Sequence, residues 1–155
     1  MDWECLYRAS EHGWSNKSFH NHCDNAGSTI LIVTLNNGYK LGGFTSIPWD
    51  AESRGANRVW DKEEFLFSFT TTRDPFMIRP SEPPKGTSFG TISNGSPIFA
   101  GTEVCFNLES PTQSICNGRY YKLPIAITAP LDTFLGGGTI STWQWKDVEV
   151  WSVRS

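Results

Sequence analysis

The chain has 155 residues, a net charge of −3 at pH 7 and 14% aromatic residues. A disordered chain has few aromatic residues and many charges, so we expect a folded globule. Lys and Arg residues are scattered singly, without the basic stripe that neutralises phosphates, which argues against nucleic-acid binding. The length fits a single domain over residues 1–155.

The N-terminal segment and the cysteines bear on the compartment. Residues 1–10 (MDWECLYRAS) lack the basic and apolar regions of a signal peptide, and no apolar run approaches the ~20 residues of a membrane span. The four cysteines, at positions 5, 23, 105 and 116, contain no C-x-x-C pair, and a domain of this size needs no disulfide framework. We predict a cytoplasmic protein with free thiols and no membrane insertion.

The first predicted element is a helix that begins after Ser15. The Ser15 hydroxyl can accept a hydrogen bond from an otherwise unpaired backbone N–H of the first turn. Phe19 and Cys23 follow four residues apart and therefore share one face. Residues 24–27 (DNAG) are turn-prone and end the helix.

A β-hairpin is predicted next. Residues 28–35 (STILIVTL) form a continuous apolar, β-branched run, typical of a strand covered on both faces. The segment 36–38 (NNG) predicts a type I′ turn, because Asn and Gly tolerate positive φ angles. Residues 39–45 (YKLGGFT) return as the partner strand. Within them, Gly42 and Gly43 indicate a bulge or a place where another backbone or ring packs closely.

The remaining predicted elements are mostly strands. Phe65, Phe67 and Phe69 recur with a period of two, which predicts a strand with one aromatic face. Further strands are expected at residues 76–78, 103–108, 120–127 and 139–153, the last of them central. These patterns predict a mainly β (α+β) fold, a two-layer antiparallel β-sandwich with one or two short flanking helices.

Five blocks in chain order carry a resemblance to a known family. They are residues 6–27 (LYRASEHGWSNKSFHNHCDNAG), 28–50 (STILIVTLNNGYKLGGFTSIPWD), 65–68 (FLFS), 97–101 (PIFAG) and 148–151 (VEVW). Together they resemble the TLDc domain family, although residues 100–103 (AGTE) replace the Gly-Gly-His-Asp-like string of that family. The resemblance implies a sandwich of two antiparallel sheets with flanking helices.

The resemblance also implies a function. TLDc domains are non-catalytic protein-interaction modules of eukaryotic proteins, linked to oxidative-stress protection and to binding of the vacuolar proton-pumping ATPase (V-ATPase). No catalytic residue or cofactor is carried over to this chain from the family. We therefore expect a protein partner, plausibly V-ATPase subunits, and neither enzymatic activity nor a cofactor.

The string His20-x-His22-Cys23-Asp24 is the most metal-like motif in the chain. On a helix, His20, Cys23 and Asp24 share one face, while His22 points elsewhere. Zinc sites need three or four converging ligands, and the chain has no second Cys/His cluster. A structural role is therefore favoured, and no metal site is predicted.

Four residues are the candidates for binding a partner. Trp49 and Asp50 end a strand, where the competing interpretation is a structural Asx-turn beneath a packed Trp. Glu149 is expected to share a strand face with Trp151. If that face is buried, the carboxylate must be paired or its pKa raised; if it is exposed, Glu149 and Trp151 form a polar and aromatic surface pair typical of interfaces. Both interpretations stay open.

Two alternative functions come from other classes. Seven Trp residues and abundant Asn would suit a carbohydrate-binding β-sandwich, which stacks sugars on exposed aromatic rings. Cys105, expected on the opposite strand face from its apolar neighbours, and Cys116, in a loop, would suit a cysteine-dependent peroxide-handling enzyme. No flanking base or resolving cysteine supports the second alternative.

Overall fold

A computed structural model describes residues 2–50, 61, 63–69, 76–79, 97–99, 104–111, 114–116 and 142–154. The elements follow in the order β1 (Asp2–Arg8), α1 (Ala9–His12), α2 (Asn16–Cys23), β2 (Thr29–Leu35), β3 (Lys40–Thr45), β4 (Phe65–Phe69), β5 (Phe76–Ile78), β6 (Ile98–Phe99), β7 (Val104–Cys105), β8 (Ile115–Cys116) and β9 (Trp145–Arg154). The predicted mainly β class is confirmed.

The strands form two antiparallel sheets. The larger sheet has six strands in the order β1-β9-β2-β3-β4-β5, and the smaller has three in the order β6-β7-β8. Because β9 pairs with both β1 and β2, the closing segment of the chain is central, as predicted. Among the described residues, no helix is long and apolar enough to cross a membrane. The single domain over residues 1–155 stays a prediction.

One side of the six-stranded sheet is the core, and we call it the inner face. Five of its side chains, those of Tyr7, Leu31, Val33, Leu41 and Val150, are at most 1% exposed. Each fully buried apolar side chain of this size stabilises the fold by about 1.5–3 kcal/mol relative to an exposed one. The inner face therefore supplies much of the stability of the sheet.

Helix α2 and two later segments cover the inner face. Phe19 and Cys23 of α2 belong to the same core cluster as Trp49, and Phe106 and Leu108, which follow β7, join it as well. The ring of Phe19 meets the Trp49 ring edge-on, with centroids 5.3 Å apart. The core thus connects the six-stranded sheet to the helix and to the chain beside the smaller sheet.

The opposite side of the six-stranded sheet, here the outer face, is less covered. Along β2, buried residues alternate with half-buried ones, and Ile30 and Ile32 are among the half-buried. The prediction that this strand is covered on both faces is therefore wrong. A run that is apolar at every position does not reveal, by its composition, which of its two faces is covered.

The first element is β1, so the prediction that a helix comes first is wrong. This strand pairs along the edge of the sheet with β9, and its register shifts between Cys5 and Tyr7. Tyr7 is buried on the inner face, whereas Trp3 is 53% exposed. The register shift hides the strand in the sequence, because it breaks the regular alternation that marks a strand.

Helix α2 begins as predicted. Ser15 is its N-cap residue, with extended backbone angles, and the Ser15 hydroxyl accepts a hydrogen bond of 3.0 Å from the Ser18 N–H. Phe19 and Cys23 are both fully buried. The helix ends at Asp24, and the chain turns away through positive φ angles at Asn25 and Gly27.

The hairpin between β2 and β3 is confirmed, but its turn is not of type I′. That turn needs two central residues with positive φ, and between these strands only Gly38 has one, at 90°. The Gly38 N–H bonds the Leu35 carbonyl at 3.1 Å, and the Asn37 side chain accepts from the Tyr39 N–H at 3.0 Å. The Asn37 carboxamide thus stabilises the loop between the two strands, in which Gly38 alone has a positive φ.

Gly42 marks a close approach, and the strand has no bulge at Gly42 or Gly43. The register of β3 runs without a shift against both neighbours. A Cβ atom at Gly42 would lie 1.8 Å from the Leu31 carbonyl oxygen and 3.1 Å from Cζ of Phe67. The second of the two interpretations, a backbone and a ring packed closely on glycine, is the one that the structure shows.

The later predictions have mixed outcomes. The short strand at residues 76–78 is confirmed, whereas the strand expected at 103–108 is reduced to Val104–Cys105. Beyond β7, Phe106 and Leu108 are not part of a strand but are fully buried. Their alternating pattern therefore indicated which side chains are buried and did not indicate a longer strand. The strand expected at 120–127 lies outside the described residues.

Candidate interaction surface

The outer face carries an apolar groove of about 630 Å³. Its lining residues are Trp3, Ile30, Ile32, Phe65, Phe67, Phe69, Met77 and Trp151. Within the described part of the chain, the exposed large hydrophobic side chains are Trp3 at 53%, Phe69 at 48% and Met77 at 53%. All three line this groove, so the exposed large apolar side chains gather on one surface.

The strand register brings these residues together. One row of facing residues comprises Cys5, Trp151, Ile30, Phe44 and Phe65, and the next comprises Arg8, Glu149, Ile32, Gly42, Phe67 and Met77. Facing residues in antiparallel strands share a side of the sheet. Because Trp3 and Met77 belong to opposite edge strands, the groove spans six strands, or about 24 Å at ~4.8 Å per spacing.

Aromatic contacts order the part of the groove built on β4. Phe44 and Phe65 stack with ring centroids 5.2 Å apart, and Phe67 meets Phe69 edge-on at 5.6 Å. Arg79 places its guanidinium 5.7 Å from the Phe65 ring centroid, within cation–π range. These contacts preorganise the rings, which reduces the side-chain entropy that a partner would have to remove on binding.

Glu149 and Trp151 lie on the outer face, as their alternation predicts. Glu149 forms an ion pair with Arg8, with a nitrogen–oxygen distance of 2.7 Å. The Glu149 side chain is 16% exposed. The Glu149 carboxylate is the main cause of a raised pKa for the Arg8 guanidinium. Of the two open interpretations, the paired, half-buried carboxylate is the one observed, while Trp151 lines the groove.

Trp49 lies elsewhere. It is 1% exposed, in the core cluster with Phe19, and its indole N–H donates to the Thr29 hydroxyl at 2.8 Å. Asp50 is half-buried, and the backbone carbonyl of Trp49 accepts from the Asn25 N–H at 2.8 Å. The structure therefore brings two of the four predicted binding residues, Glu149 and Trp151, to one face and places the Trp49 side chain in the interior.

Most of the groove was not singled out by sequence reasoning. The period of two at Phe65, Phe67 and Phe69 indicated an aromatic face, but the pattern is the same for a covered and an open face. Trp3 was not predicted to line a surface, because the sequence pattern did not predict a strand at residues 2–8. The alternation of Trp3 and Cys5 was the signal that could have found it.

The histidine motif on α2 is engaged in local contacts. His20, 7% exposed, places Nδ1 at 2.6 Å from an Asp24 oxygen, and Nδ1 of His22 lies 2.8 Å from the Ser18 carbonyl oxygen. Burial raises the pKa of the Cys23 thiol, so the thiolate that a metal needs is disfavoured. In the described ranges, no group of three His, Cys, Asp or Glu side chains is arranged to hold a metal ion.

Asp61 is a buried carboxylate that sequence reasoning missed. It is 5% exposed and accepts four hydrogen bonds, one each from the Thr45 hydroxyl, the Ser46 N–H, the Ser46 hydroxyl and the Glu63 N–H, at 2.7–3.0 Å. These donors lie at the two ends of the single connection between β3 and β4, so Asp61 joins the end of β3 to the chain just before β4. Both oxygens of the Asp61 carboxylate accept hydrogen bonds from the protein itself, so the carboxylate has a structural role.

A second cleft of about 530 Å³ lies near the start of β9. It is lined by Trp14, Leu108, Glu109, Pro111, Trp143, Trp145 and Lys146. Trp143 is only 5% exposed, and the Trp14 and Trp145 rings lean on each other with centroids 6.3 Å apart. The rings pack mainly against the protein, which leaves little aromatic surface for a ligand.

A comparison with protein-family models identifies the family of the chain. No curated protein shows significant similarity to the chain. Residues 1–154, essentially the whole chain, match the family model described as TLDc domain. That range contains all five sequence blocks as well as both sheets described above. The chain belongs to the TLDc domain family.

Proposed function

We propose that this chain is a non-catalytic protein-interaction module of the TLDc type, and that its contact surface is the groove on the outer face. One observation carries the proposal: the exposed large hydrophobic side chains of the described residues, Trp3, Phe69 and Met77, all line one apolar groove. Contiguous exposed apolar surface marks interaction sites, whereas scattered apolar residues are ordinary.

The composition of the groove supports a protein partner. Aromatic residues and Met are enriched in the centres of protein interfaces, and Trp is prominent among residues that dominate binding energy. Trp151 lies in the groove beside Glu149, whose charge is already paired with Arg8. A partner that covers this face does not leave the Glu149 carboxylate buried without a counterion, which would be costly.

Family membership supports a more specific proposal. We infer that the partner is the vacuolar proton-pumping ATPase, that the chain acts in the cytoplasm, and that binding contributes to protection against oxidative stress. The expectation rests on the resemblance to TLDc proteins, whose functions are of this kind. Cys5 and Cys23 are free thiols, which is consistent with a reducing compartment.

The test measures binding of the whole chain to purified V-ATPase by biolayer interferometry. Trp3→Ser and Met77→Ser remove apolar surface at positions that are more than half exposed, so the fold is retained. We expect the double variant to bind at least about tenfold more weakly, a loss of about 1.4 kcal/mol or more. Lys17→Ser, at an exposed position on α2, is the control and should bind normally.

Each outcome bears on a different part of the proposal. Unchanged binding of the double variant would show that the groove is not the contact surface. Failure of the wild-type chain to bind V-ATPase would remove that partner. If quantitative pull-downs from its own cells also recover no protein, the interaction-module proposal is wrong. Peroxide survival of cells that carry only the double variant tests the link to oxidative stress.

The two alternatives have less support. Carbohydrate binding needs polar groups beside the rings to bond sugar hydroxyls. Among the described residues that line the groove, the polar side-chain groups are the indole N–H groups of Trp3 and Trp151. A glycan panel read by Trp fluorescence tests it. Peroxide chemistry would need Cys105 or Cys116, whose side chains lie outside the part of the chain that the structure describes. Peroxide turnover that is lost when all four cysteines are replaced would favour it.

A further inference from the structure

Two cations stand at the ends of the aromatic strip on β4. Lys40 faces Phe69 across the β3–β4 pair, and Arg79 lies over Phe65. Both are exposed. The Lys40 ammonium donates to the Thr34 hydroxyl at 3.1 Å, and the Arg79 guanidinium donates to the Glu63 carbonyl at 3.4 Å. Among the described residues, neither forms an ion pair with a carboxylate.

The spacing of these cations follows from the strand. Phe65 and Phe69 are four residues apart on β4, which corresponds to about 14 Å at ~3.4 Å per residue. Between them, Phe67 and Met77 contribute apolar surface to the groove. The face therefore presents one positive charge beside Thr34 on β2 and a second over Phe65 on β4. The two cations belong to rows of the sheet about 14 Å apart along the strand direction, with aromatic and aliphatic surface between them.

We propose that the outer face binds an amphipathic helix that carries a carboxylate near each end of its apolar stripe. The proposal rests on the proposed function and names the chemistry of the partner segment. Carboxylates eleven residues apart lie on one side of a helix, about 16 Å apart. Flexible Glu side chains cover the remaining difference and reach Lys40 and Arg79.

A helix suits this surface better than an extended peptide. A strand laid over an apolar sheet face would bury backbone N–H and C=O groups without partners, which costs free energy. A helix satisfies its backbone internally and needs only an apolar stripe. Helix-in-groove binding by residues at i, i+3, i+4 and i+7 is a common mode of peptide recognition.

A second copy of the chain and an anionic membrane fit less well. Among the described residues, the outer-face carboxylates that a second copy could offer to Lys40 and Arg79 are Glu149 and Asp147. Glu149 is already paired with Arg8, and Asp147 accepts from Ser10. Two cations attract an anionic surface only weakly, at about 1 kcal/mol each near the membrane. The same face also carries those two carboxylates.

The experiment uses the whole chain and a synthetic 18-residue helical peptide with a Leu stripe and two Glu residues eleven positions apart. Binding is followed by Trp fluorescence at low and high salt. Lys40→Glu/Arg79→Glu should weaken binding of this peptide about tenfold at low salt, and salt should reduce the difference. A peptide with Lys in place of both Glu residues should show the opposite preference. Lys17→Glu is the control for position, because it reverses a positive charge on α2 instead of on the outer face.

The outcomes are separable. Equal binding of both peptides by the wild-type chain and the double charge variant would overturn the proposal. So would binding to anionic vesicles without binding to the Glu peptide, or dimerisation that excludes the peptide. If Trp3→Ser/Met77→Ser abolishes V-ATPase binding while both peptides bind alike, the inferred partner chemistry fails and the proposed function stands. If the Glu peptide binds selectively but V-ATPase does not bind, the inferred partner chemistry stands and V-ATPase is removed as the partner. Thermal unfolding of each variant excludes a folding defect.

Discussion

The ring of Phe67 lies against Gly42 on the outer face, so closely that a Cβ atom at position 42 would stand 3.1 Å from Cζ of the ring. The same atom would stand 1.8 Å from the Leu31 carbonyl oxygen. Only glycine permits this approach of two strands and a ring. The floor of the groove therefore depends on the absence of a side chain at one position of β3.

Gly42→Ala should destabilise the protein markedly. The backbone oxygen of Leu31 cannot move away without displacing β2, so we expect a loss of at least about 2 kcal/mol in the free energy of unfolding, near the upper part of the range for overpacking. Urea unfolding followed by Trp fluorescence measures it. Lys40→Ala, an exposed change in the same strand, should cost less than about 0.5 kcal/mol. Equal stability of the two variants would contradict the close approach.

Trp49 should matter for stability rather than directly for binding. Trp49→Ala removes a fully buried ring, for which a loss of about 3–5 kcal/mol is expected. Thr29→Val keeps the volume but leaves the Trp49 indole N–H without its 2.8 Å acceptor, at a cost of about 1–3 kcal/mol. Urea unfolding should show a larger loss in the free energy of unfolding for Trp49→Ala than for Thr29→Val. If Thr29→Val binds V-ATPase more weakly at unchanged stability, Trp49 has a direct role that its burial does not suggest.

Stability should fall in alkaline solution. Burial is the main cause that raises the pKa of Tyr7 from 10.0 to about 12, and burial likewise raises the pKa of the Cys23 thiol above its ordinary value of 9.0. Both groups are neutral when protonated, so the native state holds protons that the unfolded chain releases. The contribution is complete below about pH 9 and is lost as the pH rises toward the native values, with a slope of up to about 1.4 kcal/mol per pH unit for each group.

Urea unfolding between pH 8 and pH 11 measures this dependence. The slope between pH 9 and pH 10 should be shallower in Cys23→Ala, because that thiol no longer contributes protons. Comparing slopes removes the constant cost of the small cavity at position 23. A free energy of unfolding that stays level through pH 11 would contradict the link between burial and protonation.

The N-cap of α2 should contribute about 1 kcal/mol. Ser15→Ala removes the acceptor for the Ser18 N–H, which is 3.0 Å away, and N-cap replacements of this kind cost about 0.5–2 kcal/mol. Ser15→Asp restores an acceptor and should recover most of the loss. Thermal and urea unfolding of the two variants provide the comparison; equal losses would show that the cap bond contributes little.

Several features could be predicted because their causes are local. The Ser15 cap and the Phe19–Cys23 face depend on spacing within one helix, and the one-sided aromatic pattern of β4 depends on the two-residue period of a strand. The β2–β3 hairpin also followed from a short turn segment. Its turn type did not, because the Asn37 side chain supplies a hydrogen bond that makes a second positive φ unnecessary.

Other features depend on contacts between distant segments. The ion pair between Arg8 and Glu149 requires the first and last strands to lie side by side. Composition alone did not show that β1 is a strand, since its register shift disrupts the pattern. The burial of Trp49 arises because the chain after β3 returns to the inner face beside Phe19.

The outer face shows most clearly where the two sources of information divide. The residue types and periods of β2, β4 and β9 determined that Ile30, Phe67 and Trp151 would each share a strand face with other apolar or aromatic residues. The pairing of β9 between β1 and β2, together with helix α2 packed on the inner face, decided that these separate faces form one groove. The physical reason is that alternation fixes only which residues point the same way, whereas exposure depends on which side of the sheet the rest of the chain covers.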